Sequence, residues 1–129
     1  MAEEKKDPMN TMEEEITEAK KQAAEEKEDT ISTFKLRLKK PFSWEGNEYT
    51  ELDFDWSELT GEEFLNIESE ANTEGYAVIT PEFSTIFLVY MAVRGCKQPI
   101  GTDAIRKLPI GAFNKVRSRA RSFLLNSEI

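Results

Sequence analysis

Glu51, Asp53 and Asp55 recur at every second position, and Glu58 follows close behind. On an extended strand that spacing sets the first three carboxylates on one face. Oxygen ligands so arranged can hold a hard cation such as Mg²⁺ or Ca²⁺. Upstream, however, Lys35, Arg37 and Lys39 repeat the same spacing with the opposite charge. On two paired strands the rows would neutralise each other, each exposed pair contributing about 0.2–1 kcal/mol. Cross-strand pairing accounts for both rows, so no metal or other cofactor is expected. Cys96, the one cysteine, has Arg94 and Lys97 nearby. Such neighbours favour a thiolate, but a lone thiol without a base reads as a small half-buried residue after a helix. The chain has no histidine, so Ser-His and Cys-His catalysis cannot be assembled within it. No EF-hand spacing, phosphate loop or Gly-rich dinucleotide motif occurs, no catalytic residue is assigned, and an enzyme is not expected.

The remaining chemistry is charge near the C-terminus. Lys115, Arg117, Arg119 and Arg121 follow Arg106 and Lys107. At 100° per residue, Lys115 and Arg119 flank one side of an apolar stripe, and Arg117 and Arg121 the other. A basic amphipathic helix of this kind can dock on its own acidic body, or meet an acidic protein, a nucleic acid or an acidic membrane. Residues 1–30 carry 11 acidic and 5 basic side chains, residues 31–90 carry 12 and 4, and residues 91–129 carry 2 and 8. The total of −8 over 129 residues opposes binding to a polyanion. Nucleic acid and membrane are therefore not expected as partners.

These groups need elements to position them. Residues 1–30 hold few sizeable apolar groups and read as an acidic head, disordered or a solvated helix. Met9, Met12, Ile16, Ala19 and Ala23 make only a faint heptad there, which would allow docking on a partner or a second copy. Residues 31–129 read as a single domain. Thr33–Lys39 and Thr50–Trp56 alternate apolar and charged residues, as two half-buried strands of a hairpin do. Phe34, Leu36, Leu38, Leu52, Phe54 and Trp56 would face the core. A two-residue Gly46-Asn47 turn would pair odd positions with even ones, so a longer loop or a bulge near Pro41 is needed.

Thr60-Gly61-Glu62-Glu63 is a capping box, with Leu59 and Phe64 as its staple, and opens a helix reaching about Ala71. Thr80-Pro81 opens a second helix that Gly95 closes. Thr102-Asp103 caps a single turn, and a last helix starts near Pro109 with Phe113, Val116, Ala120, Phe123 and Leu124 on one stripe. The expected class is α+β, an N-terminal β-hairpin packed on three main α-helices and preceded by the charged head. From Phe83 to Val93 only Ser84 and Thr85 are polar. Phe83, Ile86, Phe87, Tyr90 and Val93 fill one stripe, with Leu88 and Met91 to one side. Two readings stay open. Either this helix is buried all round, or Leu88 and Met91 stay accessible and take up an apolar helix of a partner or of another copy.

One cysteine excludes an internal disulfide and points to a reducing compartment. No apolar run approaches ~18 residues, and the charged N-terminal sequence is unlike a secretory signal. A soluble intracellular protein is expected.

The order of motifs resembles a family. Leu36-Arg37-Leu38-Lys39-Lys40-Pro41-Phe42 and Gly46-Asn47-Glu48-Tyr49-Thr50-Glu51-Leu52 form the hairpin. Leu59-Thr60-Gly61-Glu62-Glu63-Phe64-Leu65, Pro81-Glu82-Phe83, Arg94-Gly95-Cys96-Lys97-Gln98-Pro99 and Leu108-Pro109 follow, before a helix ending Arg121-Ser122-Phe123-Leu124-Leu125. Over residues 31–127 this resembles the tail assembly chaperones of tailed bacteriophages and prophages, including the Mu-like tail assembly proteins. The resemblance implies a non-enzymatic role in the host bacterial cytoplasm. Such a chaperone binds the tape measure protein, keeps it soluble, helps the tail tube protein polymerise around it, and is absent from the mature particle. The partner on this view is the tape measure protein, with the tail tube protein and a second copy as further candidates. The residues that would meet them are Leu88, Met91, Lys115, Arg117, Arg119 and Arg121. The alternative is a structural tail or head-tail connector protein, and a third is a nucleic-acid-binding regulator using the basic helix.

Overall fold

A computed structural model describes residues 13–17 and 29–127. The chain divides into two compact units, Met1–Thr30 and Ile31–Ile129. Of the first, residues 13–17 are helical and exposed. The other positions of the expected heptad, Met9, Met12, Ala19 and Ala23, lie outside the described residues.

The second unit is α+β: a two-stranded antiparallel hairpin followed by helices. Strand β1 is Thr33–Trp44 and strand β2 is Asn47–Asp55. Their turn is Glu45-Gly46. Its φ angles of 49° and 83° are the two positive values that a tight hairpin turn demands. Near the turn the register pairs even with odd positions, Phe42 with Tyr49 and Trp44 with Asn47. Further along it pairs like with like, Leu36 with Leu52 and Phe34 with Phe54. The switch falls between Arg37 and Phe42, a bulge containing Pro41, where a residue without an N–H breaks no ladder bond. The alternation thus survives by the route its parity required. Phe34, Leu36, Leu52, Phe54 and Trp56 are buried, while Leu38, at the bulge, is half-buried.

Helix α1, Gly61–Thr73, starts on the Thr60 hydroxyl, which accepts from the Glu63 N–H at 3.3 Å. A short 3₁₀ turn, Pro81–Phe83, precedes helix α2, Thr85–Arg94. The second helix thus begins later than Thr80-Pro81 implies, because Ser84 is its true cap and accepts from the Phe87 N–H at 3.3 Å. Gly95 ends it with φ −101°, so backbone freedom is not why glycine stands there. A Cβ at Gly95 would collide with the Trp56 indole and come within 2.6 Å of the Asp55 carbonyl oxygen. Helix α3 is the single turn Thr102–Ile105, and helix α4 runs Ile110–Asn126 behind Pro109.

One core joins the hairpin face to α2, α1 and α4. Its centre includes a chain of aromatic contacts, Phe34 on Phe54, Phe54 on Trp56 and Trp56 on Phe123, with ring centroids 5.7–5.9 Å apart. The C-terminal end of the outer edge of β2 is covered. The Asp55 N–H donates to the Gly95 carbonyl and the Lys97 N–H to the Asp53 carbonyl, both at 2.8 Å. The Gln98 side chain continues the cover, accepting from the Asp53 N–H at 2.8 Å and donating to its carboxylate at 3.1 Å. At Asp53 and Asp55 the backbone is thereby withdrawn from strand pairing with another chain.

Candidate functional site

The carboxylate row serves the hairpin. Lys35 lies 3.4 Å from Glu51 and 3.6 Å from Asp53, and both carboxylates raise its pKa, the Glu51 hydrogen bond most. Asp55 instead accepts from the Ser57 hydroxyl at 2.7 Å and the Ser57 N–H at 3.0 Å, which lower its pKa. Lys39 falls in the bulge and Asp55 stands opposite Thr33, so the matched row of three pairs is not formed. Among the described residues no group of three or more carboxylates or thiols is placed to hold a metal ion. The Cys96 thiol is pushed up to about 11 by burial, despite its basic neighbours in sequence. A thiol so protonated is a poor nucleophile.

Glu63 departs from the capping box. Its carboxylate is engaged by Arg94 of α2 at 2.9 Å, while Glu70 takes the other Arg94 nitrogen at 3.0 Å. A single guanidinium thereby clamps two turns of α1 onto the end of α2.

Leu88 and Met91 are not a surface. They are 0% and 2% exposed, and every residue from Phe87 to Ala92 is buried. With the hairpin side, α1 and α4 all closing on α2, neither Leu88 nor Met91 is exposed, and the reading that makes them an accessible patch is overturned.

The basic residues of α4 are dispersed in role. The Arg119 guanidinium lies 4.9 Å from the centroid of Phe34, on β1. Arg121 lies 5.4 Å from the Phe83 ring and donates through Nε to the Glu82 carbonyl at 3.0 Å. Arg117 has its Nε buried without a hydrogen-bond partner among the described residues. Lys115 is exposed. Arg121 therefore fastens the 3₁₀ turn to α4 through a ring and a backbone carbonyl, not through a carboxylate of the acidic body.

An apolar groove of about 280 Å³ opens where α1 begins and α4 ends. Leu59, Phe64 and Leu65 line it from the α1 side, Phe123 and Leu124 from α4, with Phe87 and Met91 of α2 also contributing. Leu65 is 64% exposed although it belongs to this lining. Sequence reasoning missed the groove, which is assembled from three separated segments. Its one local signal was Leu65, an apolar residue off the inward stripe of Phe64, Ile67 and Ala71.

Compared with models of known protein families, with curated proteins and with solved structures, the chain matches none. No helix among the described residues is long and apolar enough to cross a membrane.

Proposed function

We propose that this chain is a tail assembly chaperone of a tailed bacteriophage or prophage. It binds the tape measure protein in the host cytoplasm, keeps it soluble and assists polymerisation of the tube around it, without entering the finished particle. The observation that carries this reading is the ordered series of motifs from Leu36 to Leu125, all within one folded unit. The hairpin, the Thr60-capped helix, the apolar helix closed at Gly95 and the basic helix after Pro109 follow in that order. Two physical features support it. A net charge of −8 keeps a holder of apolar segments soluble, and the α1–α4 groove offers apolar surface that the chain's own core leaves uncovered.

Co-expression tests it. The tape measure protein of the same genome should be insoluble alone and soluble, and co-purified, with this chain. Mass spectrometry of purified particles should then lack the chain. Finding it there in stoichiometric amount would favour a connector or structural tail protein instead.

A further inference from the structure

We propose that the α1–α4 groove takes up the apolar stripe of an amphipathic client helix that carries lysine or arginine beside that stripe. This rests on the chaperone reading and names the site and the chemistry of what it holds. The lining is mostly hydrophobic, and one of its residues, Leu65, is 64% exposed. A groove between helices that offers such anchors suits the apolar face of a third helix.

Charge selects the occupant. Glu58 and Glu62, both exposed, adjoin the lining residues Leu59 and Gly61 in sequence. Glu63 is already engaged by Arg94, so these two carboxylates are the ones available to a partner. Across the groove α4 ends at Asn126, next to the lining residue Ser127, and carries no basic residue in its last turn. A helix C-terminus bears roughly half a negative charge, which this helix leaves uncompensated. The opposite half-charge at the start of α1 is outweighed by two full carboxylates. Both sides of the groove therefore favour cations. An identical copy seated face to face would bring Glu58 and Glu62 of both chains into one interface, which disfavours a symmetric pair.

The test uses the full chain co-expressed with the tape measure protein of the same genome. Leu65→Glu adds charge at an exposed apolar position, and Glu58→Lys with Glu62→Lys reverses the rim without touching the lining. Asn114→Glu, on an exposed part of α4 away from its last turn, is the control. The expected result is that both groove variants fold and melt like the parent yet co-purify about tenfold less client, the loss of a single anchor contact of about 1.4 kcal/mol, while Asn114→Glu retains it. If Leu65→Glu fails to fold, the rim reversal decides alone, since its side chains are exposed. Groove variants that hold client as well as the parent would overturn the proposal and leave the chaperone reading standing. A parent chain that never solubilises the client would overturn both. Groove variants that turn a dimer into a monomer without losing client would assign the groove to a second copy and overturn it too.

Discussion

Helices α2 and α4 pack on one another, yet they bury themselves in opposite ways. In α2 six consecutive residues, Phe87 to Ala92, are buried, so every direction around the axis meets protein. In α4 only Val116 and Ala120 are fully buried over 17 residues, and its aromatic and aliphatic ends, Phe113, Phe123 and Leu124, stay half-buried. A helix that is apolar all round organises a core and has no face to offer. A helix that is apolar on one stripe anchors itself with that stripe and leaves its borders for grooves, rings and charges. For the proposed chaperone role, the surface to test therefore lies at the borders of α4 and α1, not on the most hydrophobic segment.

The contrast is broken most directly at Leu88. Leu88→Glu places a carboxylate where nothing can pair it, and loss of cooperative unfolding is the expected result. Leu88→Ala should cost about 2–5 kcal/mol, read from chemical denaturation. A soluble, cooperatively folded Leu88→Glu protein would mean that α2 has an accessible flank after all.

Gly95 sharpens the comparison at the end of α2. Alanine there needs space already held by the Trp56 ring and the Asp55 carbonyl, and the backbone on both sides is tied by the bonds across β2. Gly95→Ala should cost about 1–3 kcal/mol as overpacking. An unchanged melting temperature would show that the junction of β2 and α2 opens easily.

Two caps come next in size. Ser84→Ala and Thr60→Ala each remove a hydroxyl that satisfies a first-turn amide, at a cost of about 0.5–2 kcal/mol. If Ser84→Ala is silent while Thr60→Ala is not, α2 continues from the Pro81 turn, and its cap is Thr80 as the sequence alone suggests.

That difference marks where sequence stops being sufficient. Signals read within one turn of chain were legible: the Thr60 cap, the Gly95 stop, the Pro109 start, and the bulge near Pro41 demanded by parity. Thr80-Pro81 misled because it does initiate a helical turn, but a 3₁₀ one, and Ser84 restarts the chain four residues later. The capping box was half legible because Glu63 has a competitor 31 residues away, the Arg94 guanidinium. Periodicity placed Leu88 and Met91 on the side of a stripe but carries no record of which neighbours close over that side. The groove was illegible for the same reason, since α1, α2 and α4 meet there only once the chain has folded.

The smallest expected effect returns to the two helices, each of which buries one polar atom without a partner among the described residues. On α2 it is the Tyr90 hydroxyl, and on α4 the Arg117 Nε. The two differ in what removal does. Arg117 is a half-buried residue whose guanidinium carries a charge that an apolar replacement would remove with it. Tyr90 is 2% exposed, and its hydroxyl finds no hydrogen-bond partner among the described residues. An unsatisfied buried hydroxyl costs about 1–3 kcal/mol of desolvation, which phenylalanine of the same shape does not incur. Tyr90→Phe should therefore leave the melting transition unchanged or raise it slightly. A clear fall in stability would show that the hydroxyl does bond, and that the interior around α2 is less uniformly apolar than its burial implies.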